Sequence, residues 1–167
     1  DTHDGAQFAV APVSGFHHAQ YKQAAGFCTF NGLVVAALDI VQRGGRVGIL
    51  DCDQHYGDGT DALLDRLLAN GQLKPHDVLH WTQGALYGRQ KLSMKTEESY
   101  WDALTREAQK MFTLCDVVLY QAGADPHKDD PYGGWMTNDD LRLRDAIVFS
   151  TCARLRGRCA WNLAGGY

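Results

Sequence analysis

Short apolar runs alternate with longer stretches in which apolar residues recur every three or four positions, and this continues from one end of the chain to the other. The pattern is that of parallel strands joined by helical crossovers, so it predicts an α/β fold. Strands are expected at Gln7 to Ala11, Arg46 to Leu50, Asp77 to Trp81, Asp116 to Tyr120 and Arg158 to Leu163. Helices are expected at Gly26 to Arg43, Thr60 to Ala69, Thr96 to Phe112 and Asn138 to Arg156. Gly44-Gly45 and Gly71 stand where left-handed residues close helices, and Thr137 or Asn138 can cap the fourth. The segment from Thr82 to Lys95 has no apolar period and reads as an irregular surface loop, with Lys95-Thr96-Glu97-Glu98 as an acidic helix start.

At 167 residues and 45% hydrophobic composition, the whole of 1–167 reads as a single domain able to bury a core. Sixteen basic against 20 acidic residues give a net charge of -4, without the basic excess of a protein that binds nucleic acid directly. The longest apolar run, Leu33 to Leu38, is too short to span a bilayer, and no signal pattern opens the chain, so no membrane association is expected. The five cysteines are odd in number and unclustered, which points to reduced thiols and a cytoplasmic setting, not to a disulfide framework or a cysteine zinc site. Opening on Asp1 and closing on Tyr167, the chain reads as an excerpt, incomplete at both ends, of a longer domain. Its oligomeric state is left open.

The densest chemistry follows the second strand, where Asp51, Asp53, His55 and Asp58 crowd into eight positions. Alternation along an extended chain would point Asp51, Asp53 and His55 the same way, and only a cation makes such a buried cluster inexpensive. In open α/β sheets ligands bind beyond the carboxyl ends of the strands. His17-His18 follow the first strand, Asp51 to Asp58 the second, Asp125 the fourth and Gly165-Gly166-Tyr167 the fifth, so four distant segments are expected on one rim. Asp53, His55 and Asp125 make a ligand set suited to Zn²⁺, with Fe²⁺ or Mn²⁺ as alternatives.

His17 and His18 can then take and deliver protons, Asp51 and Asp58 can fix their tautomers, and Tyr167 can reach a developing oxyanion. Each residue alone has a plainer role, as a capping carboxylate, a loop histidine or a packing tyrosine; their convergence argues for a site. His3, His76, His80 and His127 are read as structural or solvent-facing. Trp81, Trp101 and Trp161 are read as packing residues, and Trp135 as packing or bordering the site.

The order of these landmarks resembles the zinc-dependent histone deacetylase and acetylpolyamine amidohydrolase family. It runs from His17-His18 with Gly26-Phe27-Cys28 and Asn31, through Asp51-x-Asp53-x-His55-x-Gly57-Asp58-Gly59-Thr60 and Gly123-x-Asp125 with Asp130-Pro131, to Gly165-Gly166-Tyr167. The resemblance implies a three-layer α-β-α, arginase/deacetylase-like fold and hydrolysis of an N-acetyl or other N-acyl amide of a lysine side chain, a polyamine or a related amine. It implies that Asp53, His55 and Asp125 bind the zinc, and that His17 and His18 are the general base and acid pair, with Asp51 behind the first and Asp58 behind the second. Tyr167 would stabilise the oxyanion, and Gly26, Phe27 and Tyr132 would line a narrow tunnel. A potassium ion would sit beside the zinc on main-chain oxygens of Asp51, Asp53 and His55. Phe16 departs from the family's usual small residue, and Ala164 from its frequent glutamate. The alternatives are an arginase-like hydrolase with two manganese ions, or a non-catalytic remnant that binds acyl-lysine.

Overall fold

The structure, a computed structural model, describes residues 7–13, 15–84 and 99–167. His3, the charged run from Lys95 to Glu98 and most of the loop expected over 82–95 lie outside the described residues. The elements are β1 (Phe8–Ala11), α1 (Gly32–Gln42), β2 (Val47–Asp51), α2 (Asp58–Ala69), β3 (Val78–Thr82), α3 (Tyr100–Leu114), β4 (Val117–Gly123), α4 (Asn138–Arg154) and β5 (Cys159–Ala164). Among the described residues the strands form one sheet in the order β1-β5-β4-β2-β3, and every pairing is parallel.

Helices cover both faces of this sheet. Leu33, Val34 and Ala37 of α1 and Leu64 of α2 pack with Val47, Ile49 and Leu119 on one side. Leu104, Ala108 and Met111 of α3 and Val148 and Cys152 of α4 pack with Leu50, Val118 and Tyr120 on the other. Neighbouring residues of β2 and β4 thus serve opposite layers, and all five residues of β2 are buried, as a central parallel strand requires.

Local chemistry sets most of the boundaries. Thr137 caps α4 in a reciprocal box with Asp140, and Ser99 caps α3 by accepting from Asp102 N. α1 begins at Gly32, six residues later than the sequence pattern suggests. Gly26 and Phe27 have φ of 51° and 60°, and Ala25 and Cys28 exchange backbone hydrogen bonds, so a tight turn stands where the helix was expected. Asn31 then accepts from Val34 N at 3.1 Å and starts the helix.

β2 and β4 lie side by side, yet the chain leaves β2 for α2 on one face and β4 for α4 on the other. Their carboxyl ends therefore open a crevice between diverging loops, the position where ligands bind in such sheets.

Candidate metal centre

The chain does not stay extended beyond Asp51. Asp53 N donates to Asp51 Oδ1 at 3.1 Å and His55 N donates to Asp53 Oδ1 at 2.9 Å, two successive turns closed by aspartate side chains. This corrects the expectation from strand alternation. Asp51, fully buried, accepts from Gln121 Nε2 at 3.2 Å and pairs with His17 Nδ1 at 2.7 Å. Asp53 and His55 face Asp125 from the loop after β4, and one donor atom from each of the three lies within 4.8 Å of the others.

Electrostatics at this cluster favour a positive charge. Asp53 and Asp125 are 3% and 0% exposed, and burial pushes the Asp53 carboxyl upward. Burial works the same way on Asp125, but hydrogen bonds from neighbouring side chains and from Gln54 N outweigh it and hold that carboxyl low. His55 Nδ1 sits 2.8 Å from Asp125 Oδ2 and 3.3 Å from Asp53 Oδ1, and these contacts raise its imidazole to about 10. Without another cation, a protonated His55 offsets only one of the two carboxylate charges. Two carboxylates and an imidazole, held together and short of positive charge, fit a divalent ion of the zinc class.

Beside the cluster stand two histidines, each tied through Nδ1 to its own carboxylate: His17 to Asp51 at 2.7 Å and His18 to Asp58 at 2.6 Å. Their ring centres are 4.1 Å apart, and His17 Nε2 is 3.6 Å from Asp53 Oδ1. Burial lowers the His17 imidazole, but Asp51 more than compensates and raises it to about 9. Burial and the neighbouring His17 charge push His18 below its ordinary value. The His18 ring lies against the chain at Gly26, where a Cβ would stand 2.2 Å from His18 Cδ2, so a side chain there would displace the imidazole.

Tyr167 lies at the end of β5 with its ring between Phe27 and Tyr132, at centroid distances of 5.5 and 4.8 Å. All three rings are exposed, Phe27 the most at 81%. Asp130 anchors this edge by accepting from Tyr167 N and Tyr132 N, each at 2.9 Å. Burial, with the Asp53 and Asp125 charges, raises the Tyr167 phenol to about 12, so it stays a neutral donor. Trp135 packs edge-on against Tyr100 and Trp101 in the layer beneath α3. His80 is half-buried and pairs with Asp61 at 2.5 Å, His127 Nδ1 accepts from Asp129 N, and His76 is exposed.

Residues 2–79 match the histone deacetylase domain family. Human histone deacetylase 1 is 42% identical over 142 residues, covering 75% of this chain and 29% of that protein. Together these matches support the histone deacetylase and acetylpolyamine amidohydrolase family for this chain. An uncharacterised Picosynechococcus protein is 30% identical over 167 residues, covering 95% of this chain and 56% of its own length. The fold matches a crystal structure of acetylpolyamine aminohydrolase from Burkholderia pseudomallei with a TM-score of 0.70 at 23% identity, over 98% of this chain and 52% of that one. The chain therefore spans about half, or less, of the relatives it matches.

Within this deacetylase-family frame, sequence reasoning overlooked two supports. Asp130, a landmark in the sequence, also anchors the tyrosine turn despite Ala164. Arg144 donates to Cys52 O and Gly123 O, and it falls on the stripe of α4 that carries Leu141, Val148 and Cys152 toward the core. A charged residue on an apolar stripe was the available signal.

Proposed function

We propose that this protein hydrolyses N-acetyl or other N-acyl amides of a lysine side chain, a polyamine or a related amine. The observation that carries this reading is the juxtaposition of the Asp53, His55 and Asp125 donors with two histidines, each backed by a carboxylate. The match of residues 2–79 to the histone deacetylase domain supports it as well.

Asp53, His55 and Asp125 would hold Zn²⁺, with Fe²⁺ as the alternative. Such an ion supplies Lewis-acid polarisation of an amide carbonyl and acidifies water. His17 and His18 would act as the general base and acid pair. Asp51 and Asp58 occupy their Nδ1 atoms, so proton transfer would run through Nε2, which in His17 lies 3.6 Å from Asp53 Oδ1. Despite burial, Asp51 raises His17, while burial and the His17 charge lower His18, so the two imidazoles differ in proton affinity as an acid and base pair requires. Tyr167, neutral throughout that range, would donate to the oxyanion. Gly26, Phe27 and Tyr132 would line a narrow approach that admits an extended acylated amine. Main-chain oxygens of Asp51, Asp53 and His55 would hold a potassium ion nearby.

Reduced cysteines favour a cytoplasmic setting, and all five are free of disulfides. No described helix is long and apolar enough to cross a membrane. A binuclear manganese site needs a second set of donors, and among the described residues one such group occurs.

The test is acetate release from acetyl-lysine peptides, acetylated polyamines and small N-acetyl compounds by the full-length protein. Release from at least one class is expected, and Tyr167→Phe should slow it by about 2.7 to 4 kcal/mol in the barrier while leaving the metal bound. Binding of acetyl-lysine without any release would favour the non-catalytic reading instead.

A further inference from the structure

We propose that Arg144 is a positioning residue for the metal centre, tying the two ligand-bearing loops to one guanidinium. What those loops carry rests on the reading above; the tie itself rests on geometry alone.

Arg144 stands in the middle of α4 and is 3% exposed. Its Nη1 donates to Cys52 O at 3.2 Å and to Gly123 O at 2.5 Å. Cys52 lies between Asp51 and Asp53, and Gly123 lies two residues before Asp125. The Nε and Nη2 groups meet Asp145 Oδ1, each at 2.9 Å, and Asp145 also accepts from Tyr120 OH at 2.5 Å. One side chain thus joins both metal loops to the helix that packs beneath them.

The topology explains why a tie is needed there. The ladder between β2 and β4 ends at Asp51 opposite Gln121, followed by one more bond from Cys52 N to Gln121 O. Beyond that point β4 continues alongside β5 as far as Gly123, and the β2 chain turns away toward α2. The ladder hydrogen bonds between the two backbones therefore end just before those backbones must present Asp53 and Asp125 to one ion. Arg144 joins them again by accepting neither chain's donors but offering a proton to a carbonyl of each. A planar guanidinium with five fixed donors suits this, because a buried carbonyl left without a partner is costly.

Packing alone does not call for arginine at this position. Val148 and Cys152 fill the same stripe of α4 with apolar atoms, and buried ionic groups replaced by well-packed apolar ones often leave overall stability unchanged or higher. What an apolar residue cannot supply is the link between the two carbonyls.

The test replaces Arg144 with methionine, of similar length and uncharged, and takes two readouts. In the metal-free protein, hydrogen exchange is followed at Gln54 N, which donates across the loops to Asp125 Oδ1 at 3.1 Å, and at Val118 N in the central sheet. Exchange at Gln54 should quicken at least tenfold, with Val118 unchanged. Zn²⁺ affinity should fall about 10- to 100-fold, as for other outer supports of metal ligands, and the visible absorption of bound Co²⁺ should shift. Unchanged Gln54 exchange together with wild-type metal affinity overturns the proposal. If the wild-type chain binds no metal, the proposed function fails, while faster Gln54 exchange in Arg144→Met still supports the tie. Should Arg144→Met fail to fold, which Val118 exchange reveals, Arg144→Lys carries the same two readouts: it keeps the charge and loses the fork, and wild-type behaviour in both overturns the proposal.

Discussion

Gly165 leaves open the space that Asp125 occupies: a Cβ on Gly165 would stand 2.3 Å from Asp125 Oδ1. With φ of 51°, the glycine also holds a conformation that other residues adopt at a cost of roughly 1 to 2 kcal/mol. The turn after β5 is therefore shaped around a carboxylate from the loop after β4. Gly165→Ala is expected to displace that carboxylate and weaken zinc binding by at least about tenfold. Titration against a chelator of known affinity checks this, and unchanged affinity in a folded variant contradicts it.

Metal binding should release protons. His55, raised to about 10 by Asp125 and Asp53, carries its proton near neutral pH in the metal-free chain, whereas a metal takes the neutral imidazole. Binding is expected to release about one proton per chain from this residue. Apparent affinity should climb as pH rises toward about 10 and fall in acid. Calorimetry in buffers of different ionisation enthalpy measures the released protons; binding with no buffer dependence would show that the imidazole is already neutral.

Asp51→Asn isolates the support behind His17. Burial alone lowers this imidazole, and Asp51 is the largest of the influences that raise it to about 9, so the variant's value should drop toward or below the ordinary 6.5. A histidine raised on folding adds stability that is fully present below about 6.5 and disappears as pH climbs through about 9. The wild type should lose that contribution in mild alkali, and the variant should lack it. Ring-proton NMR titration of the metal-free protein reports the first effect, and denaturant midpoints across pH report the second. A His17 value still near 9 in Asp51→Asn would refute the assignment.

Asp130→Ala should loosen the aromatic edge and leave the metal in place. It removes the acceptor shared by Tyr167 N and Tyr132 N, two atoms that carry no chemistry of their own. Acetate release is expected to slow without exceeding the effect of Tyr167→Phe, and metal content should remain at the wild-type level. Loss of metal in Asp130→Ala would show that this residue supports the cluster itself.

Much of the fold was legible because β2 and its neighbours are continuous apolar runs and the helices between them keep their period, as α3 does from Tyr100 to Phe112. The start of α1 was not, since the left-handed Phe27 has no signature in composition and only the short side chain of Asn31 marks the true cap. The residues gathered at the cluster could be guessed from strand-end placement, because Asp53, His55 and Asp125 follow neighbouring parallel strands. Their geometry could not. Turns closed by side chains aim Asp53 and His55 at Asp125 while Asp51 pairs with His17, and the alternation of an extended strand says nothing about such turns. Arg144 acts through backbone carbonyls, and contacts to main-chain atoms leave little trace in the sequence.

Equilibrium dialysis of the purified chain against Zn²⁺, followed by elemental analysis, addresses the central claim most directly. One tightly held ion per chain is expected, with Asp125→Ala losing both that ion and acetate release. A wild-type chain that retains no divalent ion, or an Asp125→Ala variant that holds it as tightly, would contradict the account.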